Sequence, residues 1–122
     1  MEKHYFLDSY ALIEITKENE NYKKFKETNN MTTLLNLFEM HYILSKTTNE
    51  ETANTIIEKL SRIVIHFDIE DVKLASHLRM KFIKKKLSYI DCLGYAVSLK
   101  RRLVFVTGDK GFINLENVEF IK

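Results

Sequence analysis

Two kinds of hydrophobic pattern alternate along the chain: short continuous apolar runs, and longer stretches in which apolar residues return every three or four positions. His4-Tyr5-Phe6-Leu7 and Leu103-Val104-Phe105-Val106 are of the first kind and predict strands covered on both faces. Ser9 caps a short helix opened by Tyr10-Ala11-Leu12-Ile13, and a second short helix covers Asn21 to Lys26. A brief strand is expected around Asn30-Met31-Thr32. Thr33 then caps a helix whose Leu34, Leu37, Phe38, His41 and Leu44 recur at helical spacing. Glu50 to Leu60 predicts a further helix, and the β-branched run Arg62-Ile63-Val64-Ile65-His66 a strand. Val72, Leu74, Ala75, Leu78 and Phe82 predict a long amphipathic helix from Ile69 to Lys85 with a basic outer side. Ser88 starts a helix to about Lys100, and Val118-Glu119-Phe120-Ile121 is a closing strand.

Strands separated by helices need crossover connections, so the expected class is α/β with a parallel sheet. In such sheets ligands bind beyond the carboxyl ends of the strands. The chain has no proline and only three glycines, Gly94, Gly108 and Gly111, which leaves no flexible linker; 1–122 is expected to be a single domain. No apolar run exceeds four residues, so neither a membrane span nor a signal-like apolar region is expected. The lone Cys92 has no internal disulfide partner and no Cys/His spacing offers a zinc site, which fits a cytoplasmic protein.

Composition adds little until charge is read by segment. Nineteen basic and 17 acidic residues give +2, a total that speaks against a protein held by nucleic-acid phosphates. Residues 1–71 carry a net −5, residues 72–102 a net +8 and residues 103–122 a net −1. Inside the basic block Asp91 is the lone acid. Such segregation points to a partner of opposite charge more directly than the total does.

Acids placed just after strands are therefore the residues of interest. Asp8 follows the first strand, and Asp109 follows Leu103 to Val106 after Thr107-Gly108. Asn36 and Glu39 share one face of the helix after the second strand, and Asp91 is the third residue after the Ser88 cap. Each has a structural reading of its own: Asp8 as a turn and helix cap, Glu39 as a solvent-facing helix residue, Ser88-Tyr89-Ile90-Asp91 as a capping box, and Thr107-Gly108-Asp109-Lys110-Gly111 as a turn. Joint placement on one rim of a sheet makes the functional case. Two carboxylates 4 Å apart repel by about 4 kcal/mol at an effective dielectric near 20, so several cannot share a cleft ionised without a cation. Oxygen-only ligation favours Mg²⁺ or Mn²⁺ with sites left for water and phosphate, and metal-assisted phosphodiester hydrolysis is the chemistry expected of it.

With these residues in place, the sequence resembles PIN-domain ribonucleases and, in length, the VapC-type toxins of prokaryotic toxin–antitoxin pairs. The resemblance rests on Asp8-Ser9 with Ala11-Leu12-Ile13, Asn36-Leu37-Phe38-Glu39, Ser88-Tyr89-Ile90-Asp91 with Ala96, Thr107-Gly108-Asp109-Lys110-Gly111-Phe112, and the closing strand. It implies a three-layer fold with a parallel five-stranded sheet flanked by helices, and a Mg²⁺- or Mn²⁺-dependent endoribonuclease. It also implies an RNA substrate, a small antitoxin that occludes the site, and a homodimer. Asp8, Glu39, Asp91 and Asp109 stand where the family keeps its acidic cluster, with Asp8 and Asp91 as the first metal ligands and Asp109 beside them. Ser9, Asn36, Ser88 and Thr107 match the polar companions. Many relatives place another acid where this chain has Gly111, a departure that affects a second metal and leaves a one-metal site intact.

Lys84, Lys85 and Lys86, with Arg101 and Arg102, are candidates for an RNA-backbone track beside the cleft, although helix C-termini also favour such charges. The four histidines share no ligand spacing and read as structural. Three alternatives to the toxin reading stay open: an RNA-processing nuclease outside a toxin pair, a PIN-like scaffold without catalysis, and a phosphoacceptor signalling domain. The last needs an acidic pair after the first strand and an acid after a central one, whereas no Asp lies between Asp8 and Asp68.

Overall fold

A computed structural model describes residues 2–122. Four parallel strands, β1 (His4–Leu7), β2 (Asn29–Met31), β3 (Val104–Thr107) and β4 (Val118–Phe120), lie in the order β2-β1-β3-β4. The chain runs from β1 to β2 through α1 (Ser9–Thr16) and a 3₁₀ segment, Glu20–Glu27. It then passes through α2 (Leu34–Thr47), α3 (Glu50–Leu60), α4 (Ile69–Lys81) and α5 (Tyr89–Lys100) before entering β3 on the other side of β1. The winding direction reverses at β1, and a crevice opens at the carboxyl end of such a strand. Leu7 pairs with Val106, so β1 and β3 end level with each other.

Alternation along β1 and β3 divides the core into two halves, one on each face of the sheet. Phe6 and Phe105 stack at 5.6 Å and pack with Leu93, Tyr95 and Phe112 under α4 and α5. Tyr5, Leu7 and Val106 face the opposite side and pack with Leu12, Phe25, Leu37 and Met40 under α1 and α2. The result is the expected three-layer α/β arrangement.

The sheet has four strands rather than the expected five. Arg62 to His66 makes a single parallel bridge, Val64 to Thr32, at the β2 edge. Ser61–Ile63 is spent on a 3₁₀ turn and Asp68 caps α4, which leaves too little extended chain between them for a ladder. The long helix expected to reach Lys85 stops at Lys81. A 3₁₀ turn, Ile83–Lys85, follows, and Lys86 takes a left-handed conformation with φ 56°. That break turns the basic run away from the α4 axis and brings it beside the β3 exit.

Candidate active site

Asp8 is the first residue beyond β1 and caps α1. The Ala11 N–H donates to its Oδ1 at 2.8 Å. Asp109, two residues beyond β3, caps a 3₁₀ turn, Lys110–Phe112, and accepts the Gly111 N–H at 2.9 Å through Oδ1. Asp91 forms the expected capping box with Ser88: its Oδ2 accepts the Ser88 N–H at 2.9 Å, and the Ser88 hydroxyl accepts the Asp91 N–H at 3.1 Å. The structural and functional readings of these acids are therefore compatible. In each, one carboxylate oxygen holds a backbone N–H and fixes the side chain, while the other is free of backbone bonds.

These three acids and Glu39 line one pocket of about 660 Å³ at the carboxyl ends of β1 and β3, together with Ser9 and Ser88. Asp8 is almost fully buried, and its carboxyl is pushed up to about 7, first by burial and further by the charges of Asp91 and Asp109. Hydrogen bonds from Thr107 and Ala11 offset part of that rise. Burial likewise raises Asp91 above the usual carboxylate range, with the Asp109 and Glu39 charges adding to it. The four acids thus form one electrostatic unit.

Asn36 and Thr107 act from behind this unit. The Thr107 hydroxyl bonds Asp8 and accepts the Asp109 N–H at 3.0 Å, tying the two strand-end acids together. Asn36 is buried away from the pocket. It accepts the Thr33 hydroxyl at 2.7 Å and donates to Ser9 Oγ at 3.2 Å, which locks the start of α2 to the start of α1.

Among the described residues, no three acidic, His or Cys side chains stand close enough to enclose an ion together. The donor set nevertheless fits a hard divalent cation. It supplies carboxylate oxygens only, and the upward shifts of Asp8 and Asp91, set first by burial and further by the neighbouring acids, are of a kind that a bound cation would offset.

Gly111 has a steric explanation. A Cβ there would stand 2.7 Å from Leu87 Cδ2 and 3.2 Å from the Lys85 carbonyl oxygen. No side chain, acidic or otherwise, fits without moving Leu87. The same contact seats Lys84–Lys86 beside the Asp109 turn. Arg101 and Arg102 lie elsewhere, which corrects their expected place beside the cleft. They follow the far end of α5, about 15 Å along the helix from Asp91. Arg101 forms a bidentate pair with the buried Asp71, at 2.9 and 3.0 Å, and donates to the His66 carbonyl at 3.0 Å. It clamps α5 to α4. Sequence reasoning missed three further pocket residues with charged side chains, Glu14, Lys110 and Lys122, and Tyr10 lines the pocket as well. Glu14 is occupied by Asn19 at 2.8 Å and Lys17 at 3.6 Å.

Residues 5–118 match the family model described as PIN domain. Sequence comparison with curated proteins gives no match. Several solved structures share the fold. A toxin–antitoxin complex from Klebsiella pneumoniae superposes with TM-score 0.75 at 21% identity, covering 94% of this chain and 95% of that one. VapC20 from Mycobacterium tuberculosis, described as a sarcin–ricin loop cleaving toxin, gives 0.71 at 16% identity, covering 84% and 86%. VapBC2 from Rickettsia felis, bound to a DNA fragment from its promoter, gives 0.74 at 19% identity, covering 97% and 98%.

Proposed function

The chain belongs to the PIN domain family, and from that premise we propose that it is a Mg²⁺- or Mn²⁺-dependent endoribonuclease, the toxin member of a toxin–antitoxin pair. The observation that carries the proposal is the convergence of Asp8, Glu39, Asp91 and Asp109 on one pocket at the carboxyl ends of β1 and β3. A phosphoacceptor domain would need its acid after a central strand with a second acid beside the first. The acids here instead come from four different elements around one opening.

In this reading Asp8 and Asp91 would be the first carboxylates to hold the cation, and Asp109, which lines the same pocket, would have to draw closer to join them. A bound divalent ion supplies charge neutralisation and a water of lowered pKa. Thr107 keeps the Asp8 carboxylate aimed into the pocket, and the Ser88 N–H does the same for Asp91. Glu39, on α2 and in the same pocket, would help to position water for attack. Lys84–Lys86 draw the RNA backbone toward the Asp109 side, a contact that is salt-dependent and indifferent to sequence.

An antitoxin partner is supported by the structural neighbours solved as toxin–antitoxin complexes. A protein partner, whether antitoxin or a second copy in a homodimer, is supported by the exposed stripe Leu34, Phe38 and Tyr42 along one face of α2. Among the described residues no helix is long and apolar enough to cross a membrane. We place the protein in the cytoplasm, as one domain spanning 1–122. The test is RNA cleavage by purified protein with Mn²⁺ or Mg²⁺, compared with EDTA. Loss of cleavage in EDTA and in Asp8→Asn and Asp91→Asn is expected. Undiminished cleavage in those variants contradicts the assignment, and absence of both cleavage and metal binding favours a scaffold.

A further inference from the structure

The acid pocket has a second wall that a cation site does not need. Tyr10 and Ile13 of α1 and Ile43 of α2 line it, and two lysines, Lys110 and Lys122, reach the same space. Tyr10 is held firmly. Its ring lies against Gly108, where a Cβ would stand 2.2 Å from Cε1 and 2.6 Å from Cζ. The ring is thereby packed beside the Thr107 to Asp109 turn, in the pocket that the acids line. Its hydroxyl makes no hydrogen bond to the protein among the described residues, unlike those of Tyr22 and Tyr95, which donate to the carbonyls of Ile121 and Glu116, so the ring is held by packing alone. A partly buried, packed aromatic ring that lines a proposed phosphodiester-cleaving pocket can serve as a stacking surface.

The lysines point the same way. Lys17, Lys24, Lys26, Lys73 and Lys100 each stand within 4.0 Å of a carboxylate. Lys110 and Lys122 share a pocket with five acids, yet among the described residues neither pairs with one. Their charge is not spent on neutralising the acids and is open to an anionic ligand. A pocket of about 660 Å³ lies in the ~300–1,000 Å³ range of sites that enclose small molecules, so it has room for a base with its phosphate.

We propose that Tyr10 is the seat on which a nucleobase of the substrate stacks, with Lys110 and Lys122 holding the adjoining phosphates; the inference rests on the ribonuclease reading. Ile13 and Ile43 extend the apolar seat, so a base placed there presents its phosphate to the acids.

The test measures binding of a fluorescein-labelled 12-nucleotide RNA, by anisotropy in Mg²⁺ over a salt series, to protein carrying Asp91→Asn to suppress cleavage. Steady-state cleavage is measured in the wild-type background. Tyr10→Leu is expected to weaken binding by roughly 5- to 150-fold, the range of one lost base–aromatic stack. Tyr10→Phe is expected to bind like the parent. Lys110→Gln is expected to make the log K against log salt slope shallower by about 0.7, one phosphate contact on a single strand. In cleavage, Tyr10→Leu should raise KM more than it lowers kcat. Thermal melts of each variant confirm folding, and Tyr10→Phe retains the packing on Gly108. Equal binding by Tyr10→Leu and the parent, equal losses in the Leu and Phe variants, or an unchanged salt slope in Lys110→Gln overturns the proposal. Binding that keeps these dependences in a protein that cleaves no RNA upholds the seat and overturns the ribonuclease reading.

Discussion

Replacing Asp8 by Asn should make the metal-free protein more stable while abolishing its activity. Asp8 is 3% exposed, and its carboxyl sits at about 7 against an ordinary value of 3.8. Between those values the folded state binds more protons than the unfolded state, so stability falls as pH rises from about 4 to 7 and levels off above that. The difference is about three pH units, and at 1.36 kcal/mol each it amounts to about 4 kcal/mol at pH 8 as an upper bound. Asparagine removes the charge and remains an equally good cap for the Ala11 N–H. Its amide would face the Thr107 hydroxyl, which can rotate to accept. A net gain of about 2–4 kcal/mol is expected, or roughly 10 °C in Tm for a domain of this size. The assay is urea or thermal unfolding of both proteins in EDTA from pH 4.5 to 8.5. The curves should differ by only about 1 kcal/mol at pH 4.5 and diverge toward pH 8. Saturating Mg²⁺ at 100 times its Kd should recover about 2.7 kcal/mol for the wild type and much less for Asp8→Asn. An Asp8→Asn protein that is less stable than the wild type throughout, with the same pH slope, would refute the claim that a buried, repelled carboxylate waits for a cation.

Arg101→Leu leaves Asp71 charged and buried, and urea unfolding at pH 7 should show a loss of about 3 kcal/mol with the acid site still able to bind Mn²⁺. The Asp71–Arg101 pair carries its own pH signature. Arg101 holds the Asp71 carboxyl down at about 2, so its stabilisation is complete above about pH 4 and is lost as pH falls toward 2, a slope that Arg101→Leu should lack in acid unfolding. Gly111→Asp should not create a second metal site, because Leu87 and the Lys85 carbonyl occupy the space; calorimetric Mn²⁺ titration should give no added site, and Tm should fall. Gly108→Ala should displace Tyr10 and the Ile121 backbone, which a Cβ would approach to 2.2 and 2.6 Å, and should lower both Tm and cleavage rate.

Most of what positions the site was legible along the chain. β1 and β3 are continuous apolar runs and each is followed by an acid, so the rim could be placed from period and turn chemistry alone. The Ser88–Asp91 capping box was equally local. Features set by contacts between distant segments were not legible. Arg62 to His66 has strand composition, yet a 3₁₀ turn on one side and a helix cap on the other reduce it to one bridge. Arg101 looks like an exposed helix-end charge until α4 brings Asp71 to it. Gly111 reads as a missing acid, and only the approach of Leu87 and the Lys85 carbonyl shows that a side chain there requires its neighbours to shift. Tyr10 and Lys110 carry no spacing signal, since their place in the pocket depends on how the α1 start meets the β3 exit.

The central claim is that these four acids form a metal-dependent ribonuclease site, and single-turnover RNA cleavage in saturating Mn²⁺ tests it most directly. With Asp91→Asn beside the wild type, a fall of at least about 100-fold is expected, since partners one shell further from a metal already cost 10- to 100-fold. Cleavage by Asp91→Asn at the wild-type rate, or a wild-type rate unchanged by EDTA, would contradict the account.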